Sequence, residues 1–191
     1  MKISFGKKIP ITQCKIKDIE QNKFVPATFY EVDCKDKEDI LEIAHLNGIW
    51  NFKNTIVRNM KIKHDTPGLI PANELPYFYI LEIGKGLILG ISQVKKEGRN
   101  ISVQFIESKN DNKHKYVGQV MLASLGLNVI NEKKYRLIIS GPTENARAFY
   151  IDKCGFKTQY NGNLKMNSKH IHRFIRQTQK KTQAPLIDIR I

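Results

Sequence analysis

The sequence is poor in cysteine and has no long apolar segment. Its three cysteines, Cys14, Cys34 and Cys154, are scattered, so they predict neither a disulfide framework nor the CxxC pair of a common zinc site. It contains no run of about 18 apolar residues, the length that a membrane-spanning helix needs. The opening residues MKISFGKKIPIT also lack the continuous apolar core of a signal peptide. We therefore expect a cytoplasmic protein with no membrane partner and no metal.

Acidic residues are scarce as well. The 191 residues include 18 Asp and Glu against 32 Lys and Arg, which gives a net charge of +14. Net charge bears on partners rather than on fold, so this excess suits an anionic ligand such as a nucleotide, or an acidic macromolecule such as RNA. A generally lysine-rich proteome is the alternative. The imbalance is greatest between Lys153 and Leu186, where the sequence has no Asp or Glu.

Hydrophobic periodicity predicts one mixed α/β domain followed by a helical tail. The predicted strands are residues 24–32, 77–84, 87–95, 101–108, 135–140, 156–159 and 164–167, and the predicted helices are 37–60 with a break at Gly48, 116–130, 145–154 and 169–181. Pro67, Gly68 and Pro71 predict a loop. Tight turns join the three strands between residues 77 and 108, which indicates an antiparallel meander.

The segment KYVGQVMLASL, residues 115–125, follows the third meander strand and opens a helix. The start of a helix offers unpaired backbone N–H groups and the positive end of the helix dipole, and both favour phosphate. Gly118 would let a phosphate approach the backbone without a Cβ in the way. An ordinary helix start gives the same pattern, so this segment alone does not identify a phosphate site.

A second segment, GPTENARAFYIDKCGF, residues 141–156, follows after a helix and a strand. In this order the two segments resemble the GNAT (general control-related) N-acetyltransferase superfamily. The first corresponds to the family's pyrophosphate loop, Arg/Gln-x-x-Gly-x-Gly/Ala, and the second to its signature of Asn, Ala, an aromatic–Tyr pair and Gly-Phe. The resemblance covers about residues 24–167. It implies an α+β domain over residues 1–167, with a mostly antiparallel mixed sheet splayed at the cofactor site and flanked by helices.

The two motifs depart from the family pattern at three positions. Lys115 replaces Arg or Gln, so it supplies charge without a planar fork. Val120 replaces a small residue, so we expect its side chain to crowd a phosphate while its N–H stays available. Tyr150 lies five residues before Gly155 instead of four. Either Tyr150 or Ile151 then faces the thioester. We prefer Tyr150, because Ala146 then falls at the family's alanine position.

The resemblance implies direct acetyl transfer from acetyl-CoA to a primary amine, with Tyr150 protonating the leaving thiolate. Glu107 is the first candidate for the general base, before Glu82, His114 or ordered water. The implied cofactor contacts are Phe105, Ile106, Lys115, Tyr116, Val117, Gly118, Gln119, Val120 and Asn145. The acceptor stays open between a small polyamine, a protein lysine or N-terminus, and an aminoacyl-tRNA. The alternative function is a catalytically degenerate GNAT scaffold that binds an acidic partner such as RNA.

Residues 168–191 form a basic segment beyond the family motifs. On a helix, Lys169, Arg173 and Arg176 would share one face. Together with His172 and Phe174, the arginines would contact an RNA backbone and a base. In that case the segment would be dispensable for the catalytic fold. In the alternative, the apolar residues Ile171, Phe174 and Ile175 anchor it on the domain, and deletion would destabilise the whole.

Overall fold

The computed structural model describes residues 8–32, 34–35, 37–66, 75–84, 86–109 and 111–190. The strands are β1 (Ile9–Asp18), β2 (Lys23–Val32), β3 (Tyr77–Ile83), β4 (Leu87–Glu97), β5 (Asn100–Ser108), β6 (His114–Lys115), β7 (Arg136–Ile139), β8 (Lys157–Thr158), β9 (Leu164–Asn167) and β10 (Ile187–Asp188). The helices are α1 (Lys37–Ala44), α2 (Lys53–Asp65), α3 (Val117–Asn131), α4 (Glu144–Ala148), a π-helix (Phe149–Lys153) and α5 (Ser168–Thr182). The predicted loop at Pro67, Gly68 and Pro71 lies outside the described residues.

The described strands form a single mixed sheet. Its order is β10-β1-β2-β3-β4-β5-β7-β9-β8, and β6 pairs separately with β1. The pairs β3–β4 and β4–β5 are antiparallel, which confirms the predicted meander. The pair β5–β7 is parallel, because α3 crosses over between these two strands. The structure therefore confirms the predicted α+β class with a mostly antiparallel mixed sheet.

Successive residues of β3 supply two apolar cores, one on each face of the sheet. Tyr79 and Leu81 pack on the face that carries α3 and α5. Phe78 and Ile80 point to the other face, where they meet residues of α1 and α2. This alternation follows from the two-residue side-chain period of a strand. Most of α3 is buried, in keeping with its mostly apolar sequence.

The basic helix α5 belongs to the first of these cores. Ile171 and Phe174 are fully buried together with residues of α3. The two helices are in close contact at Gly126, where an added Cβ would lie 2.9 Å from Ile171 Cγ2. After α5, the chain returns as β10 and pairs Asp188 with Thr12 of β1. Of the two alternatives for this segment, the structure therefore has the anchored one. The domain boundary at residue 167 stays a prediction.

Candidate active site

The sheet opens beside the second half of β5. The β5–β7 pairing ends at Val103 and Ile139, and the Ser140 N–H then donates to the Val103 carbonyl at 2.9 Å. Strand β5 continues to Ser108 against β4, and a bulge there leaves Gln104 as an extra residue. Among the described residues, no strand pairs with the far side of β5 beyond this bulge. This gap is the predicted splay of the sheet.

The open edge of β5 carries free hydrogen-bonding groups. The Lys109 N–H donates to the Leu89 carbonyl at 2.8 Å. This bond identifies which alternate residues of β5 direct their backbone groups toward β4. Alternate residues of an antiparallel strand face opposite sides, so Ile106 and Ser108 direct their backbone groups into the gap. Phe105 instead packs its ring 5.1 Å from that of Phe52 on the other face of the sheet. The gap can therefore pair with an extended ligand through Ile106 and Ser108.

A cavity of about 350 Å³ fills this gap. It lies between the end of β5, the first turn of α3 and the start of the π-helix. The structure brings together these predicted residues: Ile106, Glu107, His114, Tyr116, Val117, Gly118, Gln119 and Tyr150. Ser108, Leu122 and Phe149 also line the cavity; Phe149 is the aromatic partner of Tyr150 in the second motif, whereas Ser108 and Leu122 carry no signal in the sequence that points to the site.

The first turn of α3 faces the cavity with unpaired N–H groups. Tyr116 adopts a left-handed conformation, with φ +71°, just before the helix begins. The Val120 N–H makes the first intrahelical bond, to the Tyr116 carbonyl at 2.8 Å. The N–H groups of residues 117–119 therefore have no acceptor within the helix. With the positive end of the helix dipole, they form a site suited to an anion.

Four of the predicted cofactor contacts lie outside the cavity lining, and one of them is Phe105, whose ring packs on the other face of the sheet. The expectation for Val120 is wrong on both counts, because its side chain is buried in the core and its N–H is used by the helix. Lys115 lies exposed in β6, paired with Lys17. Asn145 is exposed in α4. Contacts of Lys115 and Asn145 with a cofactor stay predictions.

The π-helix accounts for the unusual spacing before Gly155. A π-turn accommodates one residue more than an α-turn, so five residues separate Tyr150 from Gly155 without rotating the tyrosine away. Tyr150 is 7% exposed and lines the cavity, whereas Ile151 is 37% exposed. Gly155 ends the helix with φ +82°, as predicted. Of the two alignments, the structure therefore has Tyr150 facing the cavity.

The surroundings of Tyr150 are apolar. Its ring lies edge-on to Phe149 and Phe156, with centroids 5.4 and 6.0 Å apart. This burial, with a smaller contribution from Cys154, raises the pKa of Tyr150 to about 12. The hydroxyl therefore keeps its proton at neutral pH. Because a thiol has a pKa of about 8.5, complete proton transfer to a thiolate is uphill in the empty site, and hydrogen-bond donation is what this tyrosine supplies there.

The Glu107 carboxylate is engaged on the other side of β5. One oxygen accepts hydrogen bonds from the Asn51 N–H at 2.7 Å and from its side-chain amide at 2.9 Å. The other oxygen accepts from the Phe52 N–H at 2.9 Å, at the start of α2. These contacts tie β5 to α2. Base catalysis by Glu107 stays a prediction, but its hydrogen bonds give it a structural role.

The other two base candidates differ in position. Glu82 accepts from Lys8 Nζ at 2.6 Å and from the Gly86 N–H at 3.0 Å, away from the cavity. His114 lines the cavity, and its Nδ1 lies 2.8 Å from Asp111 Oδ2. Burial opposes ionisation of Asp111, but hydrogen bonds from His114 and the Lys113 N–H lower the pKa of Asp111. An ionised Asp111 therefore orients the His114 ring beside the first turn of α3.

The described residues contain no cluster of three or more His, Cys, Asp or Glu side chains that could hold a metal ion. None of the helices described is both long and apolar enough to cross a membrane. All three cysteines are free and buried. Burial raises the pKa of Cys154 to about 12, so this thiol is no candidate nucleophile.

A scan against protein-family models and a search of curated proteins found no match. Solved structures do match. A mutant of the AtaT toxin, bound to the C-terminus of the antitoxin AtaR and acetyl-CoA, is 13% identical, covers 77% of this chain and 96% of its own, and has a TM-score of 0.57. A GNAT-family acetyltransferase from Staphylococcus aureus is 13% identical over 74% of this chain and 99% of its own, with a TM-score of 0.52.

A third matching structure is a mutant form of the spermidine/spermine N-acetyltransferase SpeG from Vibrio cholerae. It is 12% identical over 77% of this chain and 97% of its own, with a TM-score of 0.52. At such low identities the agreement is one of fold. The shared fold has the order of helices and strands that the two sequence motifs predicted. The chain has the fold of the GNAT N-acetyltransferase superfamily.

Proposed function

We propose that this protein transfers an acetyl group from acetyl-CoA to a primary amine. One observation carries the proposal: the free edge of β5, the unpaired N–H groups of residues 117–119 and Tyr150 all face one cavity. These are the three parts that a thioester of coenzyme A needs. They supply hydrogen bonds to an extended amide chain, donors to a pyrophosphate, and a proton-bearing group for the leaving sulfur.

The coenzyme would lie across the opening of the sheet. Its pyrophosphate would accept hydrogen bonds from the N–H groups of residues 117–119, at the positive end of α3. Its pantetheine amides would pair with the backbone of Ile106 and Ser108. This course would bring the thioester toward Tyr150. The toxin structure noted above holds acetyl-CoA on the same fold, which agrees with such a placement.

The reaction would proceed by direct attack. The neutral amine nitrogen adds to the thioester carbonyl carbon, and the tetrahedral intermediate expels the coenzyme thiolate. The Tyr150 hydroxyl donates a hydrogen bond to the sulfur as its charge develops. The proton lost by the amine passes to water or to a base, for which Glu107 stays the sequence candidate. The products are an amide and coenzyme A.

The acceptor class stays open between a polyamine, a protein amine and an aminoacyl-tRNA. SpeG acts on spermidine and spermine, which shows that one protein of this fold takes polycations. The net charge of +14 repels such an acceptor here and favours an acidic or large one. Two arguments for a degenerate scaffold also lose their support, because Val120 is buried away from the cavity and Tyr150 faces it.

Calorimetry with coenzyme A on Gly118→Asp tests the site. The carboxylate would oppose a pyrophosphate, so binding should be lost, while a negative charge in the first turn of α3 should not unfold the helix. Gly98→Asp is the matched control. Gly98 lies in the turn at the opposite end of β4 and β5, with φ +51°, which Asp tolerates. Unchanged affinity of Gly118→Asp would refute the site. Binding without thiol release toward any amine tested would support the degenerate scaffold instead.

A further inference from the structure

The outer face of α5 carries an uninterrupted row of cations. Lys169, Arg173, Arg176 and Lys180 follow one another at spacings of four, three and four residues. Together with His170 and Gln177 they line a surface groove of about 490 Å³, larger than the active-site cavity. We call this surface the α5 groove. It spans about 16 Å along the helix axis, at 1.5 Å per residue.

Among the residues that the structure describes, no carboxylate lines the α5 groove to neutralise its positive charges. Like charges at these helical spacings repel each other, and cations near the start of a helix also oppose its dipole. Elsewhere in the molecule, lysines form ion pairs with carboxylates, as Lys96 does with Glu132 at 2.8 Å. Within the described residues, none of the four α5 cations has an ion pair. Because residues 153–186 contain no Asp or Glu, the sequence supplies no acid along helix α5.

The α5 groove is lined by cations and polar side chains. The neighbouring aromatic residue on the helix does not face the groove. Phe174 is 2% exposed and packs inward against α3, so the expectation that it stacks on a base is wrong. Without an aromatic platform, the groove is unsuited to single-stranded nucleic acid, which binds largely by stacking. A row of cations without aromatic rings instead matches the phosphate backbone of a duplex.

We propose that the α5 groove binds the phosphate backbone of double-stranded RNA. The four cations would contact phosphates along one strand. Gln177 lies among them and can both donate to and accept from a 2′-hydroxyl, the group that distinguishes RNA from DNA. The neutral His170 ring donates from Nδ1 to Asn167 Oδ1 at 2.6 Å, which leaves its Nε2 to accept from such a hydroxyl. This surface shares no residue with the cavity lining, so the inference does not depend on acetyl transfer.

The test compares two double variants that remove the same charge. Arg173→Gln/Arg176→Gln changes the α5 groove. Arg58→Gln/Lys61→Gln is the control, since these exposed residues are also three apart on a helix, and α2 packs on the opposite face of the sheet. Binding to a labelled RNA duplex of about 16 base pairs is measured by anisotropy between about 50 and 200 mM salt. Melting curves establish that both variants fold.

We expect the α5 variant to lower the slope of log affinity against log salt by about two, one for each phosphate that is no longer neutralised. Affinity should fall roughly tenfold for each of these phosphates, while the control changes little. Equal decreases in both variants would overturn the proposal, because the charge would then act only in bulk. Equally tight binding of polyglutamate would overturn it in favour of an acidic protein. Equal affinity for the DNA duplex of the same sequence would overturn the assignment to RNA.

Discussion

The Tyr150 hydroxyl lies in an apolar setting that keeps its proton bound. Tyr150→Phe removes this donor without changing the shape of the ring, so turnover should fall roughly 10²-fold while coenzyme affinity is retained. Burial raises the pKa of Tyr150 to about 12, so the wild-type rate should not decline between about pH 8 and pH 10, where an ordinary tyrosine begins to ionise. Release of free thiol from acetyl-CoA measures both effects.

Tyr160→Phe is the control for this experiment, because Tyr160 is fully exposed in the turn between β8 and β9. It should leave the rate unchanged. If Tyr150→Phe kept full activity, the leaving sulfur would take its proton from elsewhere. If Ile151→Tyr raised activity while Tyr150→Phe had no effect, the alternative register would be the functional one.

At the scale of secondary-structure elements, the side chain of Glu107 joins strand β5 to helix α2. Glu107→Gln keeps the shape but turns an amide donor toward either the Phe52 or the Asn51 N–H. A hydrogen bond to a charged group contributes about 1.5–3 kcal/mol to stability. Because the Glu107 site is partly exposed, the free energy of unfolding of the variant should decrease by an amount toward the lower end of that range. Denaturant unfolding measures the decrease.

Glu97→Gln provides the comparison, since Glu97 makes a surface ion pair with Lys95 at the far end of β4. Its effect should be within about 0.5 kcal/mol. A Glu107→Gln protein as stable as this control would remove the structural role assigned to Glu107, and its role as a base would again be the leading interpretation.

The elements that the sequence predicts correctly are those whose pattern is local. The meander strands alternate or run apolar between turn residues, and α3 is mostly apolar. The sequence pattern does not predict strand β1, because a bulge between Pro10 and Thr12 interrupts its alternation. Strands β6 and β10 have two residues each and exist only through pairing with β1. No local pattern could have predicted them.

The sequence predicts the residues of the candidate site that belong to motifs. It does not predict the features of the site that depend on packing in the folded protein. The order of the two motifs predicts that Gly118 and Tyr150 share one site. The choice between Tyr150 and Ile151 depends on the π-helix, with which both Tyr150 and Cys154 are buried in the folded core. The hydrogen bonds of Glu107 to the start of α2 join residues far apart in the sequence, so they also required the structure.

The molecule as a whole depends on its basic helix. Deleting residues 168–191 would remove the buried side chains of Ile171, Phe174 and Ile175, each of which stabilises by about 1.5–3 kcal/mol. Their sum is comparable to the roughly 5–15 kcal/mol that stabilises a typical domain. We therefore expect the truncated protein to lack a cooperative melting transition by circular dichroism.

Ile171→Ala gives a milder version of the same test, with an expected decrease of about 2–5 kcal/mol in the free energy of unfolding by denaturant. Because Lys169 and Arg173 are exposed, replacing them with Gln should leave the melting temperature nearly unchanged. A truncated protein that melted cooperatively near the wild-type temperature would return α5 to the role of a dispensable tail.

The packing of α5 over α3 also bears on how the chain is made. Ribosomes deliver a protein from its N-terminus at roughly 5–20 residues per second, so α3 leaves the exit tunnel seconds before the helix that covers it. During that interval the apolar surface around Gly126 has no cover from its own chain. The nascent protein would then be a client for holding chaperones until α5 has emerged, and a premature stop codon before Ser168 would yield an aggregation-prone product rather than a smaller folded protein.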